Sequence, residues 1–174
     1  MSTHRIAIFP GSFDPIHDGH LDLVERAVHL FDEIIVAVLN NENKRTIFSL
    51  DERLEMLEAL FVKSVSDSRG SGDASNVRVA SFEGLVADFA AEQGARFLLR
   101  GLRTGADFEY ELPMTVMNRR LEPTLETVFL PTRPELLDLS SGLIKEVIKL
   151  GGDPGDVLPE GVRERLEGKL GSSS

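Results

Sequence analysis

Ile6-Ala7-Ile8-Phe9-Pro10-Gly11-Ser12-Phe13-Asp14-Pro15-Ile16-His17-Asp18-Gly19-His20 is the stretch whose reading decides the fold. Its first four residues form a short apolar run of strand character, and an amphipathic helical pattern opens near Leu21. Strand, then loop, then helix N-terminus is where parallel α/β sheets bind phosphates, because the free N–H groups of the first helical turn point outward. Gly11 lets the backbone approach a phosphate closely, and Gly19 sits where the helix opens. Ser12 adds a hydroxyl, and His17 and His20 add imidazoles. Two histidines with no carboxylate pair beside them make a poor metal site, and no protein metal ligand is expected. The loop lacks the G-K-[ST] ending of a P-loop, which removes that phosphate-binding reading.

Outward from this turn, strand-like runs recur at Ile6–Phe9, Ile34–Val38, Val77–Ala80, Phe97–Leu99 and Thr127–Leu130. Helical patterns lie between and after them, at Leu21–Leu30, Leu50–Val62, Leu85–Gln93, Ala106–Leu121 and Gly142–Leu150. Alternating strands and helices predict parallel strands joined by right-handed crossovers. The continuous apolar runs suit strands buried on both faces. The expectation is α/β: a single Rossmann-like domain over residues 1–170, with a five-stranded parallel sheet flanked by helices. Ser49-Leu50-Asp51-Glu52 reads as a capping box, and Gly94 and Gly151-Gly152 read as C-terminal caps. The Ser64–Asn76 stretch, with Ser66–Ser75 at its centre, reads as a mobile surface loop, and 171–174 as a disordered tail.

Composition narrows the function. The chain has no cysteine, which excludes disulfides and thiolate metal sites. A formal net charge of −10 argues against a nucleic-acid surface, although a few focused cations can still bind a small phosphorylated ligand. No apolar run reaches the length of a membrane span and the first residues lack a signal-peptide core, so the expectation is a cytoplasmic protein with no membrane partner.

Three further segments carry candidate chemistry. Arg100-Gly101-Leu102-Arg103 follows the fourth strand, where open α/β sheets bind ligands, and its guanidiniums present forks that match phosphate oxygens. Lys44 follows the second strand, on the same sheet edge as Ser12 and Arg100. In Leu139-Ser140-Ser141-Gly142, either serine can cap a helix whose N-terminus suits a phosphate. Pro113 falls inside the long fourth helical pattern, so that helix either begins near it or is kinked.

Gly11-Ser12-Phe13-Asp14-Pro15 with His17-Asp18-Gly19-His20 resembles the signature of the HxGH nucleotidyltransferase superfamily. Arg100-Gly101-Leu102-Arg103 together with Asp107-Phe108-Glu109-Tyr110-Glu111 closely resembles a segment of the bacterial phosphopantetheine adenylyltransferase family. That resemblance implies transfer of the adenylyl group of ATP to 4′-phosphopantetheine, giving dephospho-CoA and pyrophosphate in coenzyme A biosynthesis. It implies that His20 donates to the α-phosphate, that Ser12 and Lys44 hold the attacking phosphate, and that Arg100 orients the phosphopantetheine. It assigns ATP to Ser12, Phe13, His20, Gly101, Leu102, Arg103, Glu111 and the Leu136-Leu137-Asp138-Leu139-Ser140-Ser141-Gly142 segment, with Arg103 among the catalytic groups. Val86 and Met114 fall at substrate-contact positions as apolar walls. Mg²⁺ carried by ATP and a homohexamer complete the implication. The segment departs from the family's I-S-S-S pattern at Gly142 and adds a charge at Asp138. Two alternatives remain: a sister enzyme acting on nicotinamide mononucleotide or glycerol 3-phosphate, and a non-catalytic nucleotide- or CoA-binding paralogue.

Overall fold

The computed structural model describes residues 4–41, 44–67 and 76–171. Five strands, β1 (Ile6–Gly11), β2 (Glu33–Leu39), β3 (Val77–Phe82), β4 (Phe97–Leu102) and β5 (Glu126–Pro131), form one sheet in the order β3-β2-β1-β4-β5. Every pairing is parallel, as the alternation of strands and helices requires. The helices are α1 (Asp18–Ala27), α2 (Leu50–Asp67), α3 (Val86–Glu92), α4 (Gly105–Leu121), α5 (Ser141–Lys149) and α6 (Val162–Gly171), with a short 3₁₀ turn at Pro134–Leu136.

Side-chain alternation along the strands divides the core between the two sheet faces. Ala7, Phe9, Ile34, Val36, Val38 and Leu99 pack on one face with Leu23 and Val24 of α1, Leu57 of α2, Ile144 of α5 and Leu166 of α6. Ile8, Ile35, Ala37 and Leu98 pack on the other with Ala87, Phe89 and Ala90 of α3. Consecutive residues of β2 from Ile34 to Val38 are thus all buried. That explains why β2 reads as an unbroken apolar run.

The chain leaves β1 to one side through β2 and β3, then returns to pair β4 on its other side. This reversal makes the β1–β4 boundary a topological switch point, where α/β sheets open a crevice. Register shows the opening directly. β1 pairs β2 from Ile6↔Glu33 to Gly11↔Val38, but pairs β4 only at Ala7↔Phe97 and Ile8↔Leu98. Beyond Ile8 and Leu98 the two strands part, and Phe9-Pro10-Gly11 faces Leu99–Leu102 across a gap.

Several boundaries differ from the sequence expectation. α2 continues through Ser64 to Asp67, so the segment read as a loop is helical at its start. Residues 68–75 of that segment lie outside the described residues. Pro113 neither starts nor ends a helix, because α4 runs unbroken from Gly105 to Leu121. Its N-terminus is fixed upstream by a capping box in which Thr104 Oγ1 accepts from Asp107 N–H at 3.2 Å. The carbonyl that Pro113 leaves without an intrahelical donor belongs to Glu109, and both residues are exposed, so water can hydrate it. α6 was not expected; it is anchored by fully buried Leu166 and by Val162, and includes Gly171 of the segment read as a tail. Residues 172–174 lie outside the described residues.

Candidate active site

The turn after β1 folds tightly around its aromatic residues. Phe13 adopts φ 46°, in the left-handed region, and its ring is buried. The ring meets Phe9 edge-on at 5.4 Å and His20 edge-on at 5.1 Å. Gly11 is required beneath it, since a Cβ there would sit 2.9 Å from the Phe13 ring. The Asp14–Pro15 peptide is cis.

His17 is the N-cap residue of α1 and His20 lies in its first turn. Their rings stack at 3.7 Å between centroids, and the His17 N–H donates to His20 Nδ1 at 3.2 Å. That bond fixes the tautomer: with Nδ1 accepting, the His20 proton resides on Nε2, which makes Nε2–H a donor. Burial pushes the His20 pKa well below the ordinary histidine value, with further lowering from His17 and Arg103. Burial likewise lowers His17 to about 4, with Arg103 adding to the effect. Both imidazoles are therefore neutral near pH 7. His17 Nδ1 is buried with no hydrogen-bond partner among the described residues.

The β1–β4 crevice is a cleft of about 280 Å³ lined by these histidines, Phe9 to Gly11, Phe13, Gly19, Leu23, Arg100, Gly101, Arg103, Thr132, Leu136, Leu139, Ser140 and Ser141. Arg100 spans the parting strands, donating through Nη1 to the Pro10 carbonyl at 3.0 Å. Its other nitrogens clasp the Glu111 carboxylate, Nε to Oε2 at 2.9 Å and Nη2 to Oε1. Arg103 clasps Asp107 in the same way, at 3.1 and 3.2 Å, and donates through Nη1 to the Leu139 carbonyl at 3.0 Å. Gly101 permits a close approach of β4 to α1, where a Cβ would fall 2.5 Å from Leu23 Cδ1.

On the β2 side, Lys44 Nζ donates to Ser12 Oγ at 2.9 Å, bringing together two candidates that lie 32 residues apart. Opposite, Ser140 Oγ caps α5 by accepting from Leu143 N–H at 3.1 Å, and Ser141 Oγ donates to the Pro15 carbonyl at 2.8 Å. Ser140 is thus the cap, and Ser141 ties α5 to the signature turn.

Of the residues expected at the site, Phe13, His20, Arg100, Gly101, Arg103, Leu136, Leu139, Ser140 and Ser141 line one cleft. Ser12 and Lys44 adjoin it as a hydrogen-bonded pair, and Glu111 reaches it through Arg100. Leu102, Leu137, Asp138, Gly142, Val86 and Met114 are not on its wall. Leu137, Asp138, Gly142 and Met114 are exposed, while Val86 packs partly buried against the α3 core.

Sequence reasoning missed the supports beneath the cleft. Asp14, only 3% exposed, accepts from the backbone N–H groups of Ile47 and Phe48 at 3.0–3.1 Å and from Lys145 Nζ at 2.8 Å. It thereby joins the signature turn to the loop carrying Lys44 and to α5. Asp22 of α1 binds Arg26 at 3.0 Å and Arg133 at 2.8 Å, and Arg26 donates to the Pro131 carbonyl at 2.8 Å, so the segment after β5 is tied to α1. Arg53 of α2, buried and bound to the Ser12 carbonyl, is a third support, and its signal was a charge at helical spacing with Met56, Leu57 and Leu60.

The fold and the site define a nucleotidyltransferase, and the chain belongs to the cytidylyltransferase-like family, whose model matches residues 8–147. Within that class it is similar to curated phosphopantetheine adenylyltransferases. That of Heliobacterium modesticaldum is 48% identical over 97% of this chain and 94% of the relative. That of Desulfosudis oleivorans is 47% identical, covering 96% and 94%. The solved nicotinic acid mononucleotide adenylyltransferase of Plasmodium falciparum, complexed with NaAD, shares the fold at a TM-score of 0.66. It covers 98% of this chain and 96% of its own, at 13% identity, a likeness of fold alone.

Proposed function

We propose that this chain transfers the adenylyl group of ATP to 4′-phosphopantetheine, producing dephospho-CoA and pyrophosphate in coenzyme A biosynthesis. One observation carries the reading: a neutral His20 with its proton on Nε2 shares the β1–β4 crevice with Arg100 and Arg103, beside the Lys44–Ser12 pair. In-line attack by one phosphate on another needs no protein nucleophile. Catalysis is then positioning together with stabilisation of the charge that builds on the transferring phosphorus. A preorganised neutral N–H donor suits that task.

In this reading Ser12 and Lys44 hold the attacking phosphate, and His20 Nε2–H donates to an α-phosphate oxygen. Arg103 and the Gly101 backbone take ATP phosphates, while Arg100 orients the phosphopantetheine. Phe13, Leu102, Glu111 and residues 136–142 surround the nucleotide. Gly142 and Asp138 leave the α5 N-terminus capped and its backbone donors in place, which supports nucleotide binding despite the departure from the family pattern. Val86 and Met114, on the packed pair α3 and α4, supply apolar walls for the pantetheine arm. Mg²⁺ is assigned to ATP oxygens and water, since the ion keeps several waters and needs few protein ligands.

We also place the protein in the cytoplasm as a homo-oligomer, hexameric by family resemblance. Among the described residues no helix is long and apolar enough to cross a membrane. α4 buries none of its residues and leaves Leu112, Val116 and Met117 exposed, which supports association; sedimentation tests it.

A coupled pyrophosphate assay with ATP, Mg²⁺ and each acceptor tests the function. Turnover with 4′-phosphopantetheine, and little with nicotinamide mononucleotide or glycerol 3-phosphate, is expected. Turnover with another acceptor instead, or ligand binding without pyrophosphate release from any acceptor, overturns the reading.

A further inference from the structure

Arg53, on the inner face of α2, is only 3% exposed. Its Nη1 donates to the Ser12 carbonyl at 2.9 Å and to the Leu39 carbonyl at 3.4 Å, and its Nε donates to the Ser49 carbonyl at 3.2 Å. Three backbone carbonyls therefore hold the guanidinium, from the signature turn, the end of β2 and the start of α2. Among the described residues no carboxylate lies within ion-pair distance of it. The carboxylate whose field reaches it is Asp14, whose oxygens are already engaged by Lys145, Ile47 and Phe48.

A buried cation without a direct counter-charge is unfavourable unless another interaction compensates. A neutral amide, with two donor hydrogens, can keep at most two of these three bonds, so the charge and the hydrogen bonds are separated by comparing Gln with Lys at this position. The position of the charge suggests its use. Arg53 binds the Ser12 carbonyl while Lys44 binds the Ser12 hydroxyl, so two cations meet at one residue. A desolvated charge acts over longer distances than an exposed one, since little water screens it.

We propose that Arg53 is an electrostatic positioning residue for the acceptor-phosphate subsite at Ser12 and Lys44, acting by its charge without touching the substrate. The proposal rests on the assignment of that subsite to the acceptor phosphate. It predicts an asymmetry, because the acceptor phosphate lies beside Ser12 and Lys44, whereas of ATP only the α-phosphate under attack adjoins Ser12 and the others lie toward Arg103 and α5. Losing the charge weakens the acceptor far more than ATP.

The test is calorimetric binding of 4′-phosphopantetheine and of ATP, separately, to wild type, Arg53→Gln and Arg53→Lys, with circular dichroism confirming folding. Binding reads the proposal without turnover, whereas absence of pyrophosphate release by the wild type counts against the function instead. Arg53→Gln should lose about tenfold in 4′-phosphopantetheine affinity and less than about threefold for ATP, with the same split in KM. Arg53→Lys, which keeps the charge, should stay within about threefold of wild type for both ligands. Equal losses for the two ligands, or no loss in Arg53→Gln, overturn the proposal. Should Arg53→Gln not fold, Arg53→Lys decides alone: a tenfold loss of acceptor affinity despite the retained charge overturns it, and near wild-type affinity supports it.

Discussion

Replacing Asp14 should both unfold the protein more readily and loosen its site. In Asp14→Ala, the N–H groups of Ile47 and Phe48 lose their acceptor in a region where Phe48 is almost fully buried. Each buried donor left unsatisfied costs about 1–3 kcal/mol. Lys145 also loses its partner, but its side chain is 26% exposed and can turn to water, so that term is about 1 kcal/mol. The sum is roughly 4 kcal/mol, a large fraction of the stability of an ordinary domain. With a urea slope of about 2 kcal/mol/M, the unfolding midpoint should fall by about 2 M. Asp14→Asn retains one oxygen acceptor and should lose about half as much. Urea unfolding followed by circular dichroism measures both variants. A double-mutant cycle with Lys145→Met should return a coupling of about 1 kcal/mol, the share belonging to the ion pair. Because Asp14 also positions the Lys44 loop and α5, pyrophosphate release should fall in the folded Asn variant. An Ala variant whose midpoint stays within about 0.3 M of wild type would refute the hub assigned to this carboxylate.

Other consequences are open to direct measurement. His20→Ala should lower the adenylyl-transfer rate by on the order of 10²–10³ while ATP affinity, measured by calorimetry, stays near wild type. A mutant of near wild-type rate excludes His20 from the chemistry. Gly101→Ala should destabilise by about 1–3 kcal/mol through the clash with Leu23 Cδ1, and in a double-mutant cycle with Leu23→Ala the double mutant should lose less than the two single losses summed. His17 takes up its proton at about 4 when folded and near 6.5 when unfolded, so between those values the unfolded chain binds more protons. The stability it contributes is complete above pH 6.5 and declines as pH falls toward 4, by about 3 kcal/mol in all. Urea titrations at pH 7 and pH 5 should show His17→Gln with a pH slope smaller than wild type by about one proton; an identical slope contradicts the burial assigned to this imidazole.

The parts of the molecule visible in the sequence are those dictated by neighbours along the chain. The unbroken apolar run of β2 announces a strand covered on both sides, and Ser49 with Glu52 announces the cap of α2, formed at 2.8 and 3.2 Å. The turn from Gly11 to His20 declares a phosphate site because its residue types are rarely useful together elsewhere. What stayed hidden depends on distant partners. Asp14 is legible only as part of the signature turn and Arg53 only as a charge in an apolar stripe, because their partners Phe48 and Ser12 lie in loops 34 and 41 residues away. The clasp of Glu111 on Arg100 is equally invisible, because it joins α4 to β4 across 11 residues that the sequence gives no reason to pair. α6 escaped notice because half of Val162–Gly171 is charged, and its apolar residues Val162, Leu166 and Leu170 are too few to mark a helix on their own. Pro113 misleads for the converse reason: a residue that breaks a buried helix is tolerated where the freed carbonyl meets water.

The paired clasps of Arg100 on Glu111 and Arg103 on Asp107 bear on which molecules can enter the cleft. Each guanidinium already has an anion, so a ligand must exchange one carboxylate for its own oxygens. The exchange gives little net gain to a weakly charged or poorly shaped visitor, because the arginine loses as much as it acquires. In the proposed assignment two ligands make the exchange, ATP phosphates replacing Asp107 on Arg103 and the phosphopantetheine replacing Glu111 on Arg100. The acidic partners therefore act as tenants that keep stray anions out. On the proposed function, re-forming these two ion pairs would favour release of the products over their retention.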